Sequence, residues 1–124
     1  MIDFELLKDK GILVLHPTGP LSVDDFRRVS EAVDPHILEN GKLNGLMIEA
    51  SGFPGWTNFD AFIDHLKFVK DHHRKIERVA IVSDDGVLRL APRIAEHFAH
   101  PAFKVFGSSD ADSAFAWLQA ETGP

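Results

Sequence analysis

The chain has 124 residues, a formal net charge of −6 and no cysteine, which excludes disulfides, thiol nucleophiles and metal sites built on thiolates. Its length and its 44% of hydrophobic and 26% of charged residues predict a single globular domain over residues 1–124. The basic residues are scattered along an acidic chain, so no nucleic-acid partner is expected.

Two short strands open the chain and predict a β-hairpin. The segment Phe4–Leu7 forms the first strand, and Asp9–Gly11 suits a tight turn because glycine tolerates positive φ. The segment Ile12–Leu15 is apolar at every position, which is typical of a strand covered on both faces of a sheet. We therefore expect an antiparallel edge strand followed by an interior strand.

A helix is predicted after the Pro/Gly-rich segment His16–Pro20. Ser22 is expected to cap its N-terminus, with Asp25 three residues later, and Gly41 is expected to end it. Pro35 interrupts the helical pattern, and it either kinks this helix or begins a second short one.

Three further apolar runs predict buried strands at Leu46–Ile48, Val79–Val82 and Phe103–Phe106. Each run is followed by a segment with helical spacing, which makes the element order ββαβαβαβα. This alternation predicts an α/β fold with a mainly parallel sheet, an antiparallel edge strand and helices packed on the sheet. The sequence leaves open whether the helices cover one face or both.

The helices after these strands have predicted caps and apolar stripes. Thr57 is expected to cap the second helix, and its sheet-facing stripe is predicted to be Phe59, Phe62, Ile63, Leu66 and Val69. A third helix, kinked or delayed by Pro92, is predicted to bury Val87, Leu90, Ala91, Ile94 and Phe98. Ser109 is expected to cap the last helix. Phe68 and Trp117 lie off their stripes, which favours a homodimer.

Four segments carry a resemblance to a known family: Gly19–Leu21, Gly52–Trp56, Arg78–Val82 and Ala114–Leu118. With the order of elements, they resemble the STAS domain, and more closely the SpoIIAA-like group of small proteins, also described as STAS/SEC14-like. The resemblance runs over nearly the whole chain. It implies a STAS-like (SpoIIAA-like) fold, as in the bacterial anti-sigma factor antagonists.

The resemblance also implies a function. Antagonists with this fold are switched by phosphorylation of a Ser or Thr in an Asp-Ser-Ser-Gly-like motif, where the third strand meets its helix. The matching segment is Glu49–Gly52, so the resemblance implies Ser51 as the switched hydroxyl, with Thr57 as the alternative. An inserted run of aromatic, Pro and Gly residues departs from the family pattern. The implied function is a non-enzymatic regulatory or protein-binding module.

Ligands of parallel α/β sheets gather at the carboxyl ends of the strands. We predict that this rim is formed by residues 16–19, 49–58, 83–86 and 107–109. Such a rim suits a protein partner or a small anionic or amphipathic ligand. Trp56 either anchors a partner or packs as a lid on Phe53 and Phe59. Arg89 and Arg93 either clamp an anion or lie on a solvated face beside Glu96. The candidate binding residues are Ser51, Trp56, Thr57, Asn58, Phe68, Asp84 and Arg89.

A second function of a different class is a carrier for a small apolar or amphipathic, lipid-like ligand such as an acyl chain. The chain has ten Phe and no Tyr, and an excess of Phe suits an apolar cavity. The predicted lining is Phe59, Phe62, Phe68, Phe98 and Phe103.

Neither an enzyme nor a cofactor is expected, because the sequence has no catalytic triad, phosphate loop or dinucleotide fingerprint. No metal site is expected either: His65 lies two helical turns from His72 and His73, and His97 and His100 are interpreted as surface residues. The first residues do not have the pattern of a signal peptide, and no apolar run reaches ~20 residues, so we expect a cytoplasmic protein without a membrane span.

Overall fold

In the computed structural model, which describes residues 1–52, 54–90, 93 and 101–120, five strands form one sheet in the order β1-β2-β3-β4-β5. Strands β1 and β2 are antiparallel, and the other neighbouring pairs are parallel. The predicted hairpin and the mainly parallel sheet are therefore confirmed. The strands are β1 Ile2–Leu7, β2 Ile12–Pro17, β3 Leu43–Glu49, β4 Ile76–Val82 and β5 Ala102–Phe106.

Three helices of the described residues cover both faces of the sheet, which settles the question that the sequence left open. They are α1 Val23–Asn40, α2 Phe59–His72 and α3 Ala111–Gln119. Alternate residues of a strand point to opposite faces. Leu13 and Leu46 accordingly pack in the core beneath α1 and α2, whereas Ile12 and Met47 pack against α3.

Helix α1 begins and ends as predicted. The Ser22 side chain accepts a hydrogen bond from the backbone N–H of Asp25, and the Asp25 carboxylate accepts one from the N–H of Ser22. Gly41 ends the helix with a φ of 83°, a left-handed conformation that glycine adopts without a Cβ clash. Pro35 lies inside this one continuous helix, so no second helix begins there.

Two predicted caps are wrong by one residue. Asn58, not Thr57, caps α2, because its side-chain oxygen accepts the N–H of Ala61. The backbone of Thr57 is held elsewhere, in a hydrogen bond from its N–H to the Leu21 carbonyl. Asp110, not Ser109, is the cap residue of α3, and its side chain makes no capping bond.

The predicted stripe of α2 is also on the wrong side of the helix. The side that packs on α1 and the hydrophobic core carries Ala61, His65, Phe68 and His72, at spacings of four, three and four residues. Two of these are histidines, which a hydrophobic pattern counts as polar. Phe68 and Trp117, predicted to lie off the packed faces, both pack against the core.

The predicted third helix is described only in part. Leu88–Leu90 forms a short 3-10 turn, and Val87 and Leu90, predicted to be buried, are exposed. The other predicted residues of this region lie outside the described residues: Ala91, Pro92, Ile94, Glu96, His97, Phe98 and His100. So does Phe53.

Candidate functional site

The loop after β3 is fixed to the loop before α1 by backbone hydrogen bonds. The N–H of Leu21 donates to the Gly55 carbonyl at 2.9 Å, and the N–H of Thr57 donates to the Leu21 carbonyl at 2.8 Å. Leu21 and Trp56 form a parallel β-bridge. The bridge sets the position of Trp56 at the rim formed by the carboxyl ends of the parallel strands.

The Trp56 side chain is held in one orientation. Its indole N–H donates to Nδ1 of His65 at 3.1 Å, and the ring meets Phe62 edge-on, with the centroids 4.8 Å apart. One part of the ring packs on the core and the rest is open to solvent. Trp56 therefore packs as a lid on Phe62 and His65, while Phe59 beside it is largely exposed.

His65 links this aromatic cluster to α1. Its ring stacks on Phe26 with the centroids 5.1 Å apart. Burial lowers the pKa of His65 below its usual 6.5. Because Nδ1 accepts the indole N–H of Trp56, this nitrogen carries no proton, and the ring is neutral.

We expect the burial of neutral His65 to make the protein less stable as the pH falls below about 6.5. Below this pH the unfolded chain binds a proton that folded His65 resists, so the stabilisation present above 6.5 is progressively lost. Urea unfolding between pH 7.5 and pH 5 measures this loss. The His65→Gln variant supplies the control, because glutamine does not titrate. Equal pH slopes for the wild type and this variant would contradict the assignment.

A cluster of polar residues joins the carboxyl ends of β4 and β5. The Asp84 carboxylate accepts hydrogen bonds from the backbone N–H of Ser108, at 3.0 Å, and from its hydroxyl. These bonds lower the pKa of Asp84. The Arg89 guanidinium donates to the Ser83 carbonyl at 2.9 Å. Asp84 and Arg89 thus both shape the rim and remain exposed on it.

Ser51 is exposed where β3 ends, on the side of the rim that carries this polar cluster. The preceding residue, Ala50, donates its N–H to the Val82 carbonyl of β4 at 3.2 Å, which places the two strand ends side by side. A Cβ on Gly52 would lie 3.8 Å from the Asp85 carboxylate. The surroundings of Ser51 are therefore acidic.

The structure brings six of the seven candidate residues to the rim. Ser51, Thr57, Asn58, Asp84 and Arg89 are exposed there, and Trp56 is half-buried. Phe68 is not at the rim, because it packs between Phe26 of α1 and His72 of α2. Sequence reasoning missed Leu21 and His65, whereas Ser108 lay in the predicted rim without being singled out. Leu21 acts through its backbone, which leaves no signal in the sequence.

The described phenylalanines that were predicted to line a carrier cavity have different surroundings. Phe68 and Phe103 pack against the core, Phe62 packs on Trp56, and Phe59 is largely exposed. Phe98 lies outside the described residues. A cavity of about 560 Å³ lies at the opposite end of the sheet from the rim, and charged residues including Lys10, Lys42, Glu77 and Arg78 line it.

Within the described parts of the chain, no three His, Asp or Glu residues come together as metal ligands. No helix among these residues is long and apolar enough to cross a membrane.

Comparisons with known proteins agree with this architecture. A family model described as SpoIIAA-like matches residues 12–119. A solved structure from Shewanella loihica PV-4, described as an uncharacterized protein from the DUF3478 family with a SpoIIAA-like fold, has a TM-score of 0.69 and 23% sequence identity; the alignment covers 95% of this chain and 92% of that one. No curated protein matches the sequence. The match over residues 12–119 shows that this chain belongs to the SpoIIAA-like family.

Proposed function

We propose that this protein is a non-enzymatic binding module of the STAS type that recognises a partner protein through its rim, with Trp56 as the anchor. One observation carries the proposal: the bridge to Leu21 and the bond to His65 hold a partly exposed Trp56 in a single orientation. Tryptophan is enriched among residues that dominate binding energy. An anchor fixed before binding loses little conformational entropy when a partner arrives.

The surroundings of Trp56 support the proposal. Exposed polar residues of the rim, among them Ser51, Asn58 and Asp84, lie around a partly buried aromatic group. An apolar centre with a polar border is the usual arrangement of a protein-protein interface. Asp84 is held in place by Ser108, so this border is ordered as well.

Phosphorylation of Ser51 is the proposed control of this surface. Ser51 is exposed, and the carboxylates of Asp84 and Asp85 belong to the adjoining β4 end. A phosphate would add about two negative charges beside these carboxylates. Repulsion between the phosphate and these carboxylates would then alter the conformation of the loop and weaken partner binding. Thr57, also exposed, is the alternative position for the modification.

The test is a quantitative affinity capture with three variants. In Ser51→Arg a bulky side chain obstructs the rim from an exposed position, and Trp56→Ala removes the anchor. Gln119→Arg is the matched control, because Gln119 is exposed at the far end of α3. We expect a partner retained by the wild type and by the control, and captured at least ~10-fold less by the two rim variants. Its purified form should bind the wild type directly.

Retention of every captured protein by both rim variants would overturn the proposal. Thermal unfolding of Ser51→Arg near the wild-type temperature would show that any lost capture is due to the surface. Native mass spectrometry distinguishes the second function: a bound apolar molecule in the wild type that Trp56→Ala and Ser51→Arg also retain would favour the carrier.

A further inference from the structure

In the part of the chain that the structure describes, helix α2 exposes a row of large apolar side chains outside its packed side. Its packed side carries Ala61, Phe68 and the two histidines, so the opposite side faces outward. On that side Phe59 is 68%, Leu66 52% and Val69 40% exposed. A surface helix normally presents polar residues there. A contiguous exposed apolar row is typical of an interaction surface.

We propose that this face of α2 (Phe59, Ile63, Leu66 and Val69) binds a second copy of the chain, with the two α2 helices antiparallel across a two-fold axis near Leu66. The proposal is independent of the partner-binding rim. The apolar residues recur at spacings of four, three and three, so they form one ridge along the helix. A two-fold axis lets the same ridge serve both copies.

The charges along α2 favour an antiparallel second copy. The N-terminal half carries Asp60 and Asp64, and the C-terminal half carries Lys67 and Lys70, with Asp71 as the exception. Two antiparallel helices therefore place acidic residues of one copy beside basic residues of the other. Their helix dipoles are also opposed, which is favourable. Parallel helices would bring like charges together.

Net charge explains why two acidic chains would meet at this face. The chain carries a formal charge of −6, so most approaches of two copies bring negative surfaces together. Between residues 59 and 75 the sequence has three Asp residues and four Lys or Arg residues, so this stretch is nearly neutral. The α2 face therefore combines the apolar ridge with little repulsion between copies.

The size of the contact predicts a reversible dimer. Helix α2 has 14 residues, so it is about 21 Å long. A seam between two such helices lies at the small end of specific interfaces, and we expect a dissociation constant of roughly 10–100 µM.

Sedimentation velocity from about 5 to 500 µM, a range that spans this constant, tests the proposal. As the concentration rises, we expect the wild type to pass from monomer to dimer. The dissociation constant of the Leu66→Glu dimer should be at least ~10-fold higher, because this dimer buries two carboxylates at the axis. Leu38→Glu is the matched control: Leu38 is 89% exposed, but on α1. Both positions are exposed, so thermal unfolding should show that both variants fold.

Cysteine cross-linking tests the orientation on a background without natural cysteine. Under oxidation, Leu66→Cys should form a disulfide-linked dimer, because the two copies of this residue meet near the axis. Phe59→Cys should not, since antiparallel helices place its two copies about 21 Å apart. Lys70→Asp alone should weaken the dimer, and adding Asp60→Lys should restore it by re-forming the intermolecular ion pairs.

Three results would overturn the proposal. The first is a wild type that stays monomeric at every concentration. The second is a dimer that Leu66→Glu does not weaken, since it must form through another face. The third is efficient cross-linking of Phe59→Cys, which requires parallel helices. A monomer whose binding to anionic lipid vesicles is lost in Leu66→Glu would assign the face to a membrane and also reject the dimer.

Discussion

Replacing Gly45 with valine is expected to lower the free energy of unfolding by about 2–3 kcal/mol. Gly45 lies in β3 beneath α3, and a Cβ at this position would be 3.0 Å from both Cβ and Cδ2 of Leu118. Leu118 is buried and cannot turn away into solvent. The backbone cannot retreat either, because β3 pairs with β2 on one side and β4 on the other.

Urea unfolding measures this effect, and Gly86→Ala is the control because a Cβ at Gly86 meets nothing within 4 Å. We expect the control to change stability by less than ~0.5 kcal/mol. A double-mutant cycle of Gly45→Ala with Leu118→Ala should show favourable coupling, since the shortened side chain makes room for the new methyl group. Equal stability of Gly45→Val and Gly86→Ala would contradict the packing of α3 on β3.

The contact at Gly45 also shows why the sequence predicts only part of β3. The apolar run Leu46–Ile48 is visible as a strand, but the strand begins at Leu43 and includes Asn44 and Gly45. A polar residue and a glycine weaken a strand pattern. Glycine is favoured here by the close approach of α3, a contact between distant parts of the chain.

Features set by neighbouring residues were predictable. The capping box of Ser22 and Asp25 needs only three residues of spacing, and the turn at Gly11 needs only a positive φ, which is 66° in the structure. The apolar run from Ile12 likewise predicts a strand covered on both faces. Local chemistry determines each of these features, so the order of elements and the fold class could be predicted from the sequence.

The candidate site depends on distant contacts, and these were less predictable. Thr57 and Asn58 are both good capping residues, and the bond from Thr57 to Leu21 decides between them. The orientation of α2 depends on its histidines: His65 bonds Trp56, and His72 bonds Asp34 on α1 at 2.6 Å. These hydrogen-bond partners allow the two histidines to pack in the core. Hydrophobic periodicity counts histidine as polar, so it misses both residues.

Replacing Asp25 with alanine is expected to cost about 2 kcal/mol of stability at pH 7, because it removes a buried acceptor on which three donors converge. The Asp25 residue is only 5% exposed. Its carboxylate accepts hydrogen bonds from the N–H of Ser22 at 2.8 Å and from Arg28 at 2.9 Å, and it pairs with the Met1 amino group at 2.9 Å. Arg28 also donates to the Ile2 carbonyl of β1, so the group joins α1 to the edge strand.

The pH dependence separates the charge of Asp25 from its packing. Burial alone raises the pKa of Asp25, but the Met1 amino group, Ser22 and Arg28 together lower it from 3.8 to about 2. As the pH falls through 3.8, Asp25 becomes protonated in the unfolded chain but stays ionised in the folded protein. The stabilisation is therefore complete above about pH 4 and is lost as the pH falls to about 2. The difference between the two pKa values corresponds to about 2 kcal/mol of stability.

Urea unfolding at pH 7 and pH 3 checks both parts of this prediction, with Asp24→Ala as the control in the same helical turn. Asp24 is exposed and pairs with Arg27 and Arg28 only at the surface, so its loss should cost less than ~0.5 kcal/mol. The cost of Asp25→Ala should shrink at pH 3, because the wild type has then lost part of the same stabilisation. A cost for Asp25→Ala no larger than that of Asp24→Ala would mean that other contacts hold β1 to α1. A cost that does not change with pH would assign the effect to the packing of the side chain and not to its charge.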